Sequence, residues 1–319
     1  MTAPENPSPA RRRLAVALIF IAPALWSANY YVARKAPGVI EPHLLALGRW
    51  LLAFVLMLPF ALPSLLRARR QWRREWFDML LLGGLGMWIC GAFVYIGGKT
   101  TSATNIGLLY AISPVLIAAF SARMFDERFS GIQKLGVLLA LSGMVLIVLK
   151  GSVANLLAIR FTSGDIWIIV AVSAWTLYSL LLRLRPSVLD PFARLTMITF
   201  GGVLVLVPFT LAEMNRHGLP GDWGTALTLV AIAAVLPGFG AYQAYSFMQR
   251  ELGAARTALV LYLGPIYAAA MAWLLLDEMP AWYHAAGACL ILPGMWLATR
   301  QGKPTPAPDP IEARATSAA

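Results

Sequence analysis

Ten apolar stretches, each about long enough to cross a lipid bilayer, occupy almost the whole sequence. A spanning helix needs roughly 20 mostly apolar residues. Stretches of this kind lie at 14–35, 42–63, 77–98, 102–124, 132–150, 163–184, 191–212, 223–248, 253–275 and 282–299. Of the 319 residues, 59% are hydrophobic and only 13% are charged, about half the charged share of a soluble domain. Because one compact core cannot hide so many apolar side chains, we predict an all-α, polytopic membrane protein with ten transmembrane helices.

The basic residues predict how the chain is oriented in the membrane. The net charge is +11, but the Lys and Arg residues form short clusters between the apolar stretches, which is typical of membrane-flanking loops and not of nucleic-acid binding. If the N-terminus is cytoplasmic, inside segments carry 19 of these residues and outside segments six. We therefore expect both termini in the cytoplasm and the chain in a bacterial inner membrane. Residues 1–13 and 300–319 are interpreted as cytoplasmic tails, the second of them disordered.

The sequence repeats itself at an offset of about 150 residues. A shift of 149 aligns Trp26 with Trp175. A shift of 151 aligns Pro114 with Pro265, Asp126-Glu127 with Asp277-Glu278, and Gly136 and Gly143 with Gly287 and Gly294. Such residue types are uncommon in an apolar composition, so the matches indicate a duplication. We predict one repeat at 14–150, a linker at 151–162 and a second repeat at 163–299.

Each repeat holds five predicted helices, which is an odd number. The second repeat must therefore enter the membrane from the opposite side to the first. Inverted repeats are a recurring plan of secondary transporters, in which the substrate site lies near the midplane between the halves. We expect two inverted five-helix repeats around a central cavity. A duplicated scaffold without a transport role is the alternative.

The end of each repeat resembles the end of an EamA domain of the drug/metabolite transporter superfamily. That pattern is a basic residue, a helix with a midpoint proline, an acidic pair and a glycine-spaced fifth helix. The first copy has Lys99, Pro114, Asp126-Glu127, Gly136 and Gly143, and the second has Arg250, Pro265, Asp277-Glu278, Gly287 and Gly294. Trp26 and the pair Arg49-Trp50 also resemble the first two helices of such a unit. The resemblance implies a transporter, most like the bacterial YddG-type amino acid exporters.

Two prolines and four glycines suggest how particular helices pack. Pro114 and Pro265 lie near the middle of their helices, where proline removes a hydrogen bond and bends the helix. We interpret them as paired hinges at the substrate site, with a static kink as the alternative. In the fifth and tenth helices, glycines seven residues apart share a face that permits close approach. We expect these two helices to support the repeats from the side.

Aromatic side chains with a polar edge lie deep in the predicted helices, away from the interfacial positions usual for Trp and Tyr. Several are three, four or seven residues apart and so share a helix face. Such rings suit a cavity for amphipathic or aromatic solutes, although ordinary helix packing is the alternative for any one ring. The predicted substrate-binding residues are Trp26, Asn29, Tyr30, Trp88, Tyr95, Lys99, Tyr110, Trp175, Tyr178, Tyr242, Tyr245 and Tyr262.

The ionisable residues restrict the possible chemistry. No Asp or Glu lies at the centre of a predicted helix, where a carboxylate commonly relays protons or sodium ions, so we favour facilitated or exchange-like transport. Arg49 lies within a helix and is interpreted as a structural residue that snorkels or pairs with a helix end. Binding of a substrate carboxylate is its alternative role. The three histidines are scattered and the two cysteines lie in apolar stretches, so we expect no metal site and no cofactor.

These observations together predict a transporter and not an enzyme. We expect it to export amino acids, including aromatic ones, or similar small metabolites by alternating access, with a small-molecule substrate and membrane lipid as partners. A carrier of nucleotide sugars, phosphate esters or drugs is the alternative, although such anions usually call for more cationic side chains than Arg49 and Lys99 provide. A membrane enzyme or a structural protein is less favoured, because no convergent set of acid, base and nucleophile is present.

Overall fold

A computed structural model describes residues 9–101, 103–125, 129–157, 159–276 and 279–299. These residues form helices and loops without a strand, which confirms the all-α prediction for the described part of the chain. The main helices are α1 (Pro9–Lys35), α2 (Pro42–Arg67), α3 (segments Trp76–Gly83, Gly84–Phe93 and Val94–Gly97), α4 (Ala103–Phe125), α5 (Gly131–Val148), α6 (Ser163–Leu184), α7 (Pro191–His217), α8 (segments Trp223–Ala233, Ala234–Ala241 and Tyr242–Leu252), α9 (segments Ala254–Ala258, Leu259–Leu263 and Gly264–Leu276) and α10 (Trp282–Thr299).

Within the described residues, nine helices are long and apolar enough to cross a membrane. They lie where nine of the ten spans were predicted, and the chain is a multi-pass membrane protein. The tenth predicted span is also helical, as α10, but it is not among the nine. Its first turn holds Trp282, Tyr283 and His284, which lower its hydropathy. The count of ten spans therefore stays a prediction.

The outer faces of the helices are covered by exposed apolar side chains, including Phe60, Leu138, Leu227 and Leu274. In water, so extensive an apolar surface would lead to association. In lipid it is the favourable surface, because the backbone polar groups are already satisfied inside each helix. The exposed side chains thus define the surface that contacts the bilayer.

Polar side chains in the loops fix where several helices begin. Ser130 starts α5 in a capping box with Gln133. Asp190 starts α7 and accepts hydrogen bonds of 3.0 Å from the backbone N–H groups of Phe192 and Ala193. Both caps satisfy N–H groups that have no partner inside the helix. The loops therefore set the helix boundaries that hydropathy alone leaves approximate.

Corresponding helices of the two repeats pack against each other in opposite directions. Between α2 and α7, Phe54 lies 5.1 Å from Phe200 and Phe60 lies 6.3 Å from Phe192, measured between ring centroids. The residue numbers rise along α2 as they fall along α7, so the two helices are antiparallel. This is the relation that an inverted repeat requires of its matched helices.

Helices α5 and α10 show the same relation through their glycines. A Cβ atom on Gly136 would lie 2.5 Å from the carbonyl oxygen of Gly294, and one on Gly143 would lie 2.6 Å from that of Gly287. The glycines therefore permit direct backbone contact, as expected for small residues on one face. However, the two helices do not stand separately beside the repeats, because they pack against each other and join the halves.

The third helix of each repeat contains a π-helical segment at a matching position. These segments are Gly84–Phe93 in α3 and Ala234–Ala241 in α8. A π-helix is wider than an α-helix, is rare, and often occurs at functional sites. The sequence prediction did not include either segment.

The two matched prolines have different local structures. Pro114 lies within the continuous helix α4, whereas Pro265 follows the 3₁₀ segment Leu259–Leu263 of α9. Next to Pro114, the hydroxyl of Ser113 lies 3.3 Å from that of Thr176, which ties α4 to α6. Their role as paired hinges stays a prediction. The two acidic pairs at 126–127 and 277–278 lie outside the described residues.

Candidate functional site

Six aromatic side chains from α1, α2, α6 and α8 meet inside the protein. We call them the aromatic cluster, and they are Trp26, Trp50, Trp175, Tyr178, Tyr242 and Tyr245. Ring centroids lie 5.7 Å apart for Trp26 and Trp175, and 4.8 Å apart for Trp50 and Tyr242, with the rings edge to face in both pairs. Such geometry is favourable for aromatic pairs. The first repeat supplies two of the rings and the second supplies four, so the cluster lies between the halves.

Three polar side chains lie beside the aromatic cluster. The hydroxyl of Tyr95 donates to Oδ1 of Asn29 over 3.3 Å, and Nη1 of Arg49 approaches the same oxygen at 3.5 Å. The guanidinium carbon of Arg49 lies 4.4 Å from the ring centre of Trp50, in cation–π geometry. Asn29, Arg49 and Tyr95 thus place polar groups next to the rings.

Arg49 lies in the interior and not at the membrane surface, where snorkelling would place it. Arg49 is only 4% exposed, so its side chain does not snorkel to the membrane surface. Among the described residues no carboxylate forms an ion pair with it, and its Nε has no hydrogen-bond partner. The reason is that α2 directs this side chain toward α8, where Gly238 leaves room for it. A Cβ atom on Gly238 would lie 3.7 Å from that Nε.

The two π-helical segments enclose the pair Arg49-Trp50. On the α3 side, a Cβ atom on Gly91 would lie 3.1 Å from Nε1 of Trp50. The indole N–H of Trp50 donates to the carbonyl of Met87 over 3.0 Å. The hydroxyl of Tyr242 donates to the carbonyl of Gly86 over 3.1 Å. The aromatic cluster is therefore bonded to the backbone of the π-helical segment in α3.

Several buried polar atoms at this place have no hydrogen-bond partner within the described residues. They are Nε1 of Trp175, the hydroxyl of Tyr178 and Nε of Arg49. Leaving such a group unpaired costs about 1–3 kcal/mol, so these groups are available to hold a polar ligand. By contrast, the hydroxyl of Tyr245 bonds to Ser179 at 2.9 Å and to Gln249 at 3.4 Å.

Only some of the predicted site residues lie in or beside the aromatic cluster. Five of them belong to the aromatic cluster, and Asn29 and Tyr95 lie beside it. Trp88 instead stacks on Phe209, with ring centroids 4.0 Å apart. Tyr110 is half-buried, Tyr262 is fully buried with its hydroxyl unpartnered among the described residues, and the side chain of Tyr30 is outside what the structure describes.

Lys99 lies away from the interior. Its ammonium pairs with Glu41 at 2.9 Å, and its side chain is 52% exposed. The end of α3 and the start of α2 meet here at the protein surface, so the lysine is held in a surface ion pair and does not reach the aromatic cluster. The structure therefore places it differently from a cavity-facing residue.

Sequence reasoning omitted two residues that the structure places here. Trp50 was noted only for its resemblance to EamA units, and Gln249 was not considered. A signal was present for Trp50, which is a hydrogen-bonding side chain within the stretch 42–63, whereas Gln249 follows the stretch 223–248 and stands next to Arg250. For metals, the described residues contain no group of three or more His, Cys, Asp or Glu side chains that could hold an ion.

The fold and the interior site together define a multi-pass membrane protein in which related helices pack antiparallel. Two parts of the chain, residues 13–149 and 162–300, match the model of the EamA-like transporter family. The chain therefore belongs to the EamA-like transporter family.

Its relatives in two domains of life are named as transporters. The chain is 24% identical over 276 residues to the uncharacterized transporter YyaM of Bacillus subtilis, covering 85% of this chain and 89% of that protein. It is 25% identical over 293 residues to an uncharacterized transporter of Archaeoglobus fulgidus, covering 88% and 96%. A protein of Streptantibioticus cattleyicolor named "Probable terminal-alkyne amino-acid exporter" is 26% identical over 263 residues, covering 81% and 84%.

A solved crystal structure supports the fold. It matches with a TM-score of 0.68 and 20% sequence identity, and the match covers 89% of this chain and 96% of that one. Most of the chain is therefore folded as in a known protein. At this identity the likeness concerns the fold alone.

Proposed function

We propose that the protein exports amino acids, including aromatic ones, or similar small metabolites across a bacterial inner membrane by alternating access. The observation that carries this proposal is the aromatic cluster between the two halves, in which Trp175 and Tyr178 have donors without a hydrogen-bond partner among the described residues. Aromatic rings with polar edges bind amphipathic and aromatic molecules well. The relative named for amino-acid export supports the same substrate class.

The remaining features of the proposal follow from the repeat and the charges. The two five-helix repeats, 14–150 and 163–299, move relative to each other about the site, and Pro114 and Pro265 act as hinges. Both termini face the cytoplasm, and transport is facilitated or exchange-like. The nearest functional type is the YddG-like amino acid exporter, and the protein is not an enzyme.

Transport by the purified protein in liposomes tests this proposal. We expect uptake or exchange of radiolabelled amino acids from a panel that includes L-tryptophan, and little change of rate when a pH gradient is imposed. Empty liposomes provide the background. The proposal is wrong if no amino acid crosses faster than in empty liposomes.

The site is tested separately by Trp26→Ala and Trp175→Ala. We expect each to lower amino acid transport by up to about tenfold, because an aromatic pair contributes about 0.5–1.5 kcal/mol beyond its buried area and tenfold is about 1.4 kcal/mol. Trp273→Ala is the matched control, since this tryptophan is exposed on the outer surface. Equal transport by all three variants would contradict the assignment.

A further inference from the structure

We infer that Arg49 binds the carboxylate of the transported molecule while the aromatic cluster holds its side chain. The site then selects for a carboxylate and does not require an amino group. This inference rests on the proposed function and names the chemistry that the same site recognises.

The first argument is the buried charge of Arg49. An arginine side chain stays charged under all ordinary conditions. This one is 4% exposed, lies two turns inside α2, and forms no ion pair within the described part of the chain. A buried charge without a counter-ion is strongly unfavourable, and an ionisable residue at membrane depth usually serves function. A bound anion supplies the missing counter-charge.

The surrounding groups identify the anion as a carboxylate. Arginine presents a planar fork of donors that matches two carboxylate oxygens. Among the described residues Nε of Arg49 has no hydrogen-bond partner, and Nη1 makes only a long contact of 3.5 Å with Asn29. In the same part of the chain no second Lys or Arg stacks on a ring of the aromatic cluster, and Arg194, which lies near Tyr178, already donates to the carbonyls of Leu182 and Arg185. The site therefore lacks the several available cations that a phosphate would require. A single guanidinium beside the aromatic cluster suits a ligand that has one carboxylate and an apolar side chain.

The two repeats contribute differently to this recognition. A shift of 149 places Ile198 at the position of Arg49, so the second repeat has no matching charge. The second repeat instead supplies four of the six rings. A molecule with a carboxylate and an aromatic side chain would therefore contact both halves at once, with its charge on the first and its ring on the second.

The amino group has no charged partner here. Within the described residues, no Asp or Glu lies in the aromatic cluster or pairs with the three polar residues beside it. An ammonium here meets π faces and neutral acceptors such as Oδ1 of Asn29, but among the described residues it meets no carboxylate with a full opposite charge. Acids without an amino group should therefore compete with the amino acid, and amines without a carboxylate should not.

Competition for L-tryptophan uptake into proteoliposomes tests the inference. For the wild type, we expect indole-3-propionate to inhibit at concentrations similar to those of L-tryptophan, and tryptamine to inhibit at least about tenfold more weakly, since losing one charge-assisted pair costs about a factor of ten or more. Arg49→Gln should weaken inhibition by both L-tryptophan and indole-3-propionate and abolish their preference over tryptamine. Arg49→Lys should retain part of the preference. Arg67→Gln is the matched control, because Arg67 lies exposed at the end of the same helix.

The outcomes separate this inference from the proposed function. A preference for acids that persists in a monodisperse Arg49→Gln protein, with unchanged inhibition constants, overturns the inference alone. If the wild type carries no amino acid, thermal unfolding in detergent is measured with indole-3-propionate and with tryptamine. Stabilisation by the acid that is lost in Arg49→Gln supports the carboxylate site, and its absence in the wild type overturns it. If Arg49→Gln does not fold, equal inhibition by all three compounds with Arg49→Lys overturns the inference.

Discussion

Trp50 shows how one side chain can join two elements in a membrane interior. Its indole N–H donates to the carbonyl of Met87 over 3.0 Å, and its ring contacts both Arg49 and Tyr242. The bond gives the indole N–H a partner in a region where no water is available. Trp50 therefore belongs both to the helix packing and to the site.

Trp50→Phe should destabilise the protein while preserving most of the aromatic packing. The variant leaves the carbonyl of Met87 without its donor, which costs about 1–3 kcal/mol. Thermal unfolding in detergent, followed by intrinsic fluorescence or by aggregation, measures the change. Trp223→Phe is the control, because that tryptophan is 46% exposed and its substitution should leave the unfolding temperature unchanged. Equal unfolding temperatures for both variants would contradict the role of the hydrogen bond.

For single residues, the sequence indicated several rings of the aromatic cluster but not the buried position of Arg49. Trp26, Trp175 and Tyr178 follow from the repeat and from helical spacing, which are local properties of the sequence. The environment of Arg49 depends on Gly238, which is 189 positions away in the sequence. The surface ion pair of Lys99 is hidden from the sequence for a similar reason, since its partner Glu41 becomes adjacent only when α2 and α3 are packed.

Helices α5 and α10 are in direct backbone contact through their glycines. Gly143 on α5 faces the carbonyl oxygen of Gly287, and a Cβ atom there would lie only 2.6 Å from that oxygen. Because the obstacle is backbone, the helices must move apart to accept even a methyl group. The glycine spacing predicted close packing, whereas the identity of the partner helix could not be read from one helix alone.

Gly143→Ala should therefore lower the free energy of unfolding by about 1–3 kcal/mol, as expected for overpacking. Gly131→Ala is a control in the same helix, because nothing lies within 4 Å of its added Cβ atom. Thermal unfolding of both variants in the same detergent compares them. A Gly143→Ala protein as stable as Gly131→Ala would show that the contact is not close.

The start of α7 depends on the charge of Asp190. Burial opposes ionisation of this carboxyl, but hydrogen bonds from Ser64 and from the backbone N–H groups of Ala193 and Phe192 outweigh it and lower its pKa. Because the pKa is lower in the folded state, the stabilisation is present above the ordinary value of about 3.9 and is lost as the pH falls through the folded-state pKa.

Asp190→Ala should cost about 1 kcal/mol at pH 7, as is typical for loss of an N-cap. The cost should decrease as the pH is lowered below about 4, because the unfolded chain then binds a proton at this carboxyl more readily than the folded wild type, whose carboxyl is protonated only at its lower pKa. Unfolding measured from pH 7 to pH 3 on both proteins gives this difference. A difference that increases toward low pH would contradict the assigned direction of the pKa change.

For the whole molecule, hydropathy predicted the positions of the spans because lipid imposes a fixed length on every crossing helix. The antiparallel pairing of the two repeats followed from the odd number of helices in each. The π-helical segments of α3 and α8 could not be predicted in this way. They arise where Gly86, Met87 and Gly238 face side chains from other helices, and such contacts leave no periodic signal in the sequence.

The two halves also meet through a half-buried carboxylate. Glu213 of α7 accepts hydrogen bonds from the backbone N–H groups of His43 and Leu44 at 2.8 and 3.0 Å, and it contacts the His43 ring at 2.8 Å.

Glu213→Gln should destabilise the protein by about 1–3 kcal/mol, because half-buried donors lose a charged acceptor. Glu41→Gln is the comparison, since its exposed ion pair with Lys99 contributes at most about 1 kcal/mol. Thermal unfolding should rank Glu213→Gln well below Glu41→Gln, and the reverse order would contradict this assignment.

The glycine contact between α5 and α10 has a consequence for the origin of the chain. Gly136 meets Gly294 and Gly143 meets Gly287, so one helix face binds the face that matches it by sequence. This is the property of an isologous surface, on which two identical subunits pair about a twofold axis. A single five-helix protein with this face could pair with a second copy inserted in the opposite orientation. The present chain has the geometry of such a dual-topology dimer whose two subunits have been joined into one gene product.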